Sequence, residues 1–183
     1  MRRHLAYAAG AAVLALAGCG GDDPTPQVAD PTPSASVSAS PSASAAVEKE
    51  AWEKKTEAGA EAFAKRWVRA FNEMQASGEV GEFENLSTSE CETCRNFVEM
   101  TDQAYANGGR IESDGWRIRS VAATSLDVPN GHQFALRVRQ LPQQIFETAE
   151  AEPTSFPGGT VTFLSTVVWQ SGGWRMSAWE FPA

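Results

Sequence analysis

The chain has 183 residues, 42% hydrophobic and 21% charged, with 3 Cys, 10 Pro and a formal net charge of −8. That length accommodates one domain with a tail, and the balance excludes collagen, a polytopic membrane protein and a wholly disordered chain. An acidic chain also lacks the surplus of clustered Lys and Arg on which general nucleic-acid binding rests, so no nucleic-acid partner is expected.

Residues 1–18 read as a leader. Arg2 and Arg3 precede an uncharged, Ala- and Leu-rich run from Leu5 to Leu16. That run suits a signal h-region and is too short to cross a bilayer core of roughly 30 Å as a helix. Leu16-Ala17-Gly18-Cys19 follows. Small residues directly before a cysteine resemble a bacterial lipobox, in which the Cys19 thiol is acylated with diacylglycerol and becomes the new N-terminus. The alternative is an ordinary secretory signal that happens to contain a cysteine. The h-region, the small residues and Cys19 agree in position, which favours the lipoprotein. Lipid alone would then hold the chain to the outer face of the cytoplasmic membrane, since two or three acyl chains exceed the marginal hold of one. Losing residues 1–18 removes two arginines and no acid. The remaining polypeptide is therefore more acidic and is repelled by an anionic bilayer.

Residues 19–47 form a tether. The segment is dominated by Ser, Pro and Ala, holds five Pro and no aromatic residue, and has only Val28 and Val37 as large apolar groups before Val47. Such a chain cannot bury enough apolar area to offset its ordering entropy. Disorder with some polyproline II character is expected, with a reach of roughly 30 Å by random-coil scaling. Its composition also suits O-glycosylation.

Residues 48–183 read as the folded domain, and all six Trp lie there. Trp52, Phe63, Trp67, Phe71 and Met74 keep to one helical face, with Thr56, Gly59 and Ala60 on it. The spacing predicts one long helix from about Val47 to Gln75, ended near Ser77-Gly78. A loop over Glu79–Leu86 is expected next. Ser87 and Ser89 each have a Glu three residues on, the capping-box spacing for a second helix. Cys94, Phe97, Val98, Thr101, Ala104 and Tyr105 form its face, and Asn107-Gly108-Gly109 is its stop.

Beyond Gly109 the period switches to two. Trp116, Ile118 and Ser120 alternate with Arg117, Arg119 and Val121. Phe134, Leu136 and Val138 alternate with Ala135, Arg137 and Arg139. Val161, Phe163, Ser165, Val167 and Trp169 make a third inward set, and Trp174, Met176 and Ala178 a fourth, with Trp179 facing out. Pro129-Asn130-Gly131 and Ser171-Gly172-Gly173 read as hairpin turns. Two N-terminal helices followed by an antiparallel meander define an α+β domain.

This order, with the closing Gly-Gly-Trp-Arg-Met strand, resembles the cone-shaped NTF2-like fold. The likeness implies a curved antiparallel sheet wrapped around the first helix, with a pocket at its open end. The lipobox, the Ser/Pro/Ala tether and Cys91-Glu92-Thr93-Cys94 together resemble a family of actinobacterial lipoproteins of unknown function. That likeness implies a location and a fold, and no catalytic residues.

With Cys19 acylated, Cys91 and Cys94 make an even pair in an oxidising compartment. Cysteines three apart in a first helical turn fall within disulfide range. A thiol redox site at a helix N-terminus is the functional alternative, but it wants a strand before the helix. A zinc site needs two more ligands, and His132 is the only histidine after residue 18, so no metal and no cofactor are expected.

His132, placed in a hairpin turn, reads as an exposed turn residue ahead of a general base. Asp114 and Asp127 flank the first strand and read as turn residues ahead of proton acceptors at a pocket mouth. Arg117, Arg119, Arg137, Arg139 and Arg175 alternate with apolar residues and should share the outer sheet face. They make a candidate basic face for an anionic wall polymer or an envelope protein, unless nearby Glu neutralises them. Trp67, Phe71, Tyr105, Trp116 and Phe134 are mostly core and are candidate pocket lining for a small apolar ligand. No nucleophile motif, phosphate loop or metal cluster is visible. A non-catalytic binding or interaction domain therefore stands ahead of a small-molecule enzyme using the cone and ahead of a thiol redox protein.

Overall fold

In the computed structural model, residues 50–182 are described. The leader, Cys19, the tether and the expected helix start at Val47 lie outside them.

The expected long helix is broken near its start. A 3-10 turn, Ala51–Glu53, is followed by an extended link and then by α1, Glu57–Ser77. Thr56 interrupts the run because its hydroxyl accepts a hydrogen bond from the Gly59 N–H at 3.0 Å, the geometry of an N-cap. The link folds back over this first turn so closely that a Cβ on Gly59 would run into the Lys54 carbonyl. The far end is as expected, closed by Gly78 at φ 78°. Phe63, Trp67, Phe71 and Met74 are all buried along one stripe, as their spacing requires.

Glu79–Leu86 is not simply a loop. It contains a short helix, α2, Gly81–Asn85, whose one buried residue is Phe83. One apolar side chain in a polar stretch gives no periodicity to read, yet its ring lies 4.8 Å from that of Trp67. The next helix, α3, runs from Glu92 to Tyr105 and is not capped by Ser87 or Ser89. Cys91 is its N-cap, with Sγ accepting from the Cys94 N–H at 3.3 Å. Ser87 instead accepts from the indole N–H of Trp67 at 3.0 Å.

Seven strands follow: β1 (Gly108–Ser113), β2 (Trp116–Ala123), β3 (Gly131–Gln140), β4 (Gln143–Thr148), β5 (Thr154–Phe156), β6 (Gly159–Gln170) and β7 (Gly173–Glu180). They form two antiparallel sheets, ordered β2-β3-β6-β7 and β1-β4-β5. The larger sheet contains the four strands legible from alternation. The smaller one, against α3, was not expected, because its strands are polar and largely exposed. Ser171 at φ 52° and Gly172 at φ 82° make the β6–β7 turn, as the Ser-Gly-Gly signal implied.

Two register shifts alter which residues face inward. Ile118 pairs with Val138 and Ser120 with Arg137, so Arg119 is an extra residue in β2. Val121, not Ser120, then packs against the core. Val167 pairs with Met176 and Thr166 with Ala178, leaving Ser177 extra in β7. Trp179, expected outside, is 1% exposed and faces the core in place of Ala178. A bulge reverses the inward set beyond it because the side-chain period of a strand is two.

Candidate functional site

The concave side of the larger sheet is filled by aromatic rings. Trp67 of α1 stacks on Trp179 of β7 at 4.7 Å and lies within 6.1 Å of Phe71. Phe71 meets Phe97 at 4.8 Å and Trp116 at 4.3 Å, and Trp116 stacks on Phe163 at 5.3 Å. Phe83 closes the group from α2, against both Trp67 and Phe71. Of the candidate lining residues, Trp67, Phe71 and Phe134 are 0%, 1% and 1% exposed, so they are interior packing. Tyr105 is half-buried, and its hydroxyl donates to the Gln75 carbonyl at 2.8 Å. Trp116 borders a shallow groove of about 270 Å³ shared with Gln140, Leu141 and Phe156.

The outer side of the same sheet carries charge. Arg117 and Arg139 are direct cross-strand partners. Arg137 stands two residues along β3, opposite the bulge that contains Arg119. Arg117, Arg119 and Arg137 are exposed and Arg139 half-buried. Three ion pairs occur among the described residues, Lys65–Glu61, Arg66–Glu82 and Arg110–Glu112, and none uses a sheet arginine of this group. The neutralising Glu neighbours that the sequence left open are not within ion-pair reach. Arg175 shares the outer face but not the cluster. It pairs with Val168, which pairs with Gly131, so it lies about 20 Å from Arg137 along the strands. Its Nη1 donates to the Trp174 carbonyl at 2.8 Å.

Cys91 and Cys94 are joined in a disulfide, with a Cα–Cα distance of 5.2 Å. Both are buried, at 1% and 2% exposure. A groove of about 440 Å³ opens beside them between α2 and α3, bordered by Thr88, Arg95 and Asp102. In the preceding turn the Ser89 hydroxyl donates to the Glu90 carboxylate at 2.8 Å. That bond, followed by the backbone N–H of Glu90 itself, holds its carboxyl below the ordinary glutamate value.

His132 is not in a turn. It is the second residue of β3, opposite Val167, with its ring 5.7 Å from Trp174 and 6.1 Å from Phe134. Asp114 and Asp127 are exposed, outside the aromatic interior. Among the described residues, no three His, Cys, Asp or Glu side chains converge as metal ligands.

The architecture is an α+β domain whose larger sheet wraps a long helix over an aromatic interior and presents arginines outward. The chain belongs to the family of unknown function DUF6318, whose model matches residues 43–180. No curated protein matches it. Solved structures similar to it include the intermembrane-space region of the chloroplast protein ARC6, with 10% identity, covering 68% of this chain and 95% of that chain, at a TM-score of 0.48. Protein Kfla4162 from Kribbella flavida is 12% identical, covering 67% and 88% of the respective chains at a TM-score of 0.45. An NTF2-like protein from Anabaena variabilis is 13% identical, covering 66% and 85% at a TM-score of 0.34. Identities this low speak to fold alone.

Proposed function

We propose that this chain is a lipid-anchored protein of the cell envelope whose folded domain binds a partner and performs no chemistry of its own. The anchoring half of this reading rests on Leu16-Ala17-Gly18-Cys19 after an apolar run, and on the Ser/Pro/Ala tether that follows. The binding half rests on one observation, the aromatic filling of the concave face. A small-molecule enzyme on this fold needs an open interior, and here Trp67, Phe71, Phe83 and Trp179 occupy it at 1% exposure or less. A thiol redox protein needs a sulfur that a partner thiolate reaches, and Cys91 and Cys94 are both buried.

Intact mass spectrometry, denaturing and native, of the protein extracted from host membranes in mild detergent tests both halves. The expected mass starts at Cys19, carries a diacylglyceryl group, is two hydrogens light from one disulfide, and holds no further molecule. A chain retaining residues 1–18, or one starting elsewhere without lipid, would overturn the anchor. A small molecule kept through native extraction would overturn the filled interior.

A further inference from the structure

We infer that Arg117, Arg119, Arg137 and Arg139 form the docking surface for a linear polymer that carries one negative group per repeat. The proposal deepens the binding-module reading above by naming its partner class.

Three observations carry it. The first is charge segregation. The larger sheet bears five arginines and one acid, Glu180, on an otherwise acidic chain. Glu180 lies on β7, and β6 separates it from β3, so it is no neighbour of the cluster.

The second is an uncompensated cost. Arg117 faces Arg139 directly across the β2–β3 ladder, and Arg137 faces the bulge holding Arg119. Like charges directly opposite one another destabilise a sheet. No carboxylate of the described residues offsets them. An anion from outside the domain would.

The third is geometry. Arg137 and Arg139 are two residues apart on one strand, so their repeat is roughly 6.7 Å. Adding the cross-strand pair gives a two-by-two array of like charge, a spacing that successive anionic groups along a chain can match. Guanidinium groups suit both phosphate and carboxylate, bidentately.

The test uses residues 20–183, the mature polypeptide without its acylated cysteine, and three probes. These are poly(glycerol phosphate), poly-γ-glutamate, and vesicles of phosphatidylglycerol with phosphatidylcholine. Binding to at least one soluble polymer is expected, and which one identifies the anion as phosphodiester or carboxylate. With four contacts, affinity should fall about fiftyfold between 50 and 200 mM salt, by the counterion release seen with single-stranded polyanions. Arg137→Gln with Arg139→Gln should weaken binding at least tenfold, as loss of charge-assisted hydrogen bonds implies. Arg175→Gln should leave it unchanged. The double variant should also melt no lower than the parent, because a repulsion is relieved. Binding to neither polymer, binding to vesicles alone, or equal loss with Arg175→Gln would overturn the proposal. The acyl group is absent throughout, so a negative result here leaves the anchor reading to its own experiment.

Discussion

Asn72 of α1 holds both main-chain polar groups of Trp116. Its Oδ1 accepts from the Trp116 N–H at 2.8 Å and its Nδ2 donates to the Trp116 carbonyl at 2.9 Å. A helix side chain here takes the place of a neighbouring strand at the edge of the larger sheet. Gly115, at φ 78°, makes the approach possible, since a Cβ there would come within 2.7 Å of the Asn72 amide. Asn72→Ala strands two partly buried groups at once and should cost about 2 kcal/mol in urea unfolding. Asn72→Asp keeps only the acceptor and should fall between. An unchanged midpoint for Asn72→Ala would show that water replaces the amide without loss.

Phe71 is the hub of the aromatic interior, in ring contact with Trp67, Phe83, Phe97 and Trp116. Phe71→Ala should destabilise the domain by about 3–5 kcal/mol. The void it leaves is apolar and should take up benzene or xenon, which the parent should not. Uptake by the parent would mean that the interior is open in solution and would revive the enzyme reading.

Cys91 both closes the disulfide and caps α3 through its sulfur. Replacing Cys91 and Cys94 together by Ser should cost about 2 kcal/mol on the chain-entropy scale for so short a ring. The buried sulfurs should survive millimolar dithiothreitol under native conditions and react once the protein is unfolded in urea. Thiol labelling reads both, and labelling of the native protein would return the redox reading to contention.

Glu90 gives a pH dependence of definite sign. Its folded-state pKa is lowered, chiefly by the Ser89 hydrogen bond, so its contribution is present above the unfolded value of 4.5 and is lost as pH falls through the lower folded value. Glu90→Gln should therefore melt below the parent at pH 7, and the two curves should converge at acid pH. A gap that stays constant down to pH 3 would assign the effect to something other than ionisation.

Much of this architecture was legible because it is periodic. The stripe from Phe63 to Met74 and the alternation in β3 each repeat often enough to fix a face. Three kinds of feature were not. Thr56 ends a helical pattern that Trp52 continues, and only the fold-back of Lys54 onto Gly59 shows why. The bulges at Arg119 and Ser177 are single-residue insertions without a composition of their own, so Val121 and Trp179 were assigned to the wrong face. The smaller sheet has too few apolar residues to alternate. At the candidate site, the shared face of the arginines followed from alternation, but their grouping did not. Arg175 separates from the other four only once strand register is known.

The aromatic interior has an optical consequence. Trp67 and Trp116 each stack on Trp179, at 4.7 and 6.1 Å, while Trp169 and Trp174 form a second, edge-to-face pair at 5.1 Å. Indoles this close couple their electronic transitions, and the coupling depends steeply on separation and angle. The near-ultraviolet circular dichroism of this domain is therefore a direct gauge of how tightly the sheet wraps α1, read without any attached label.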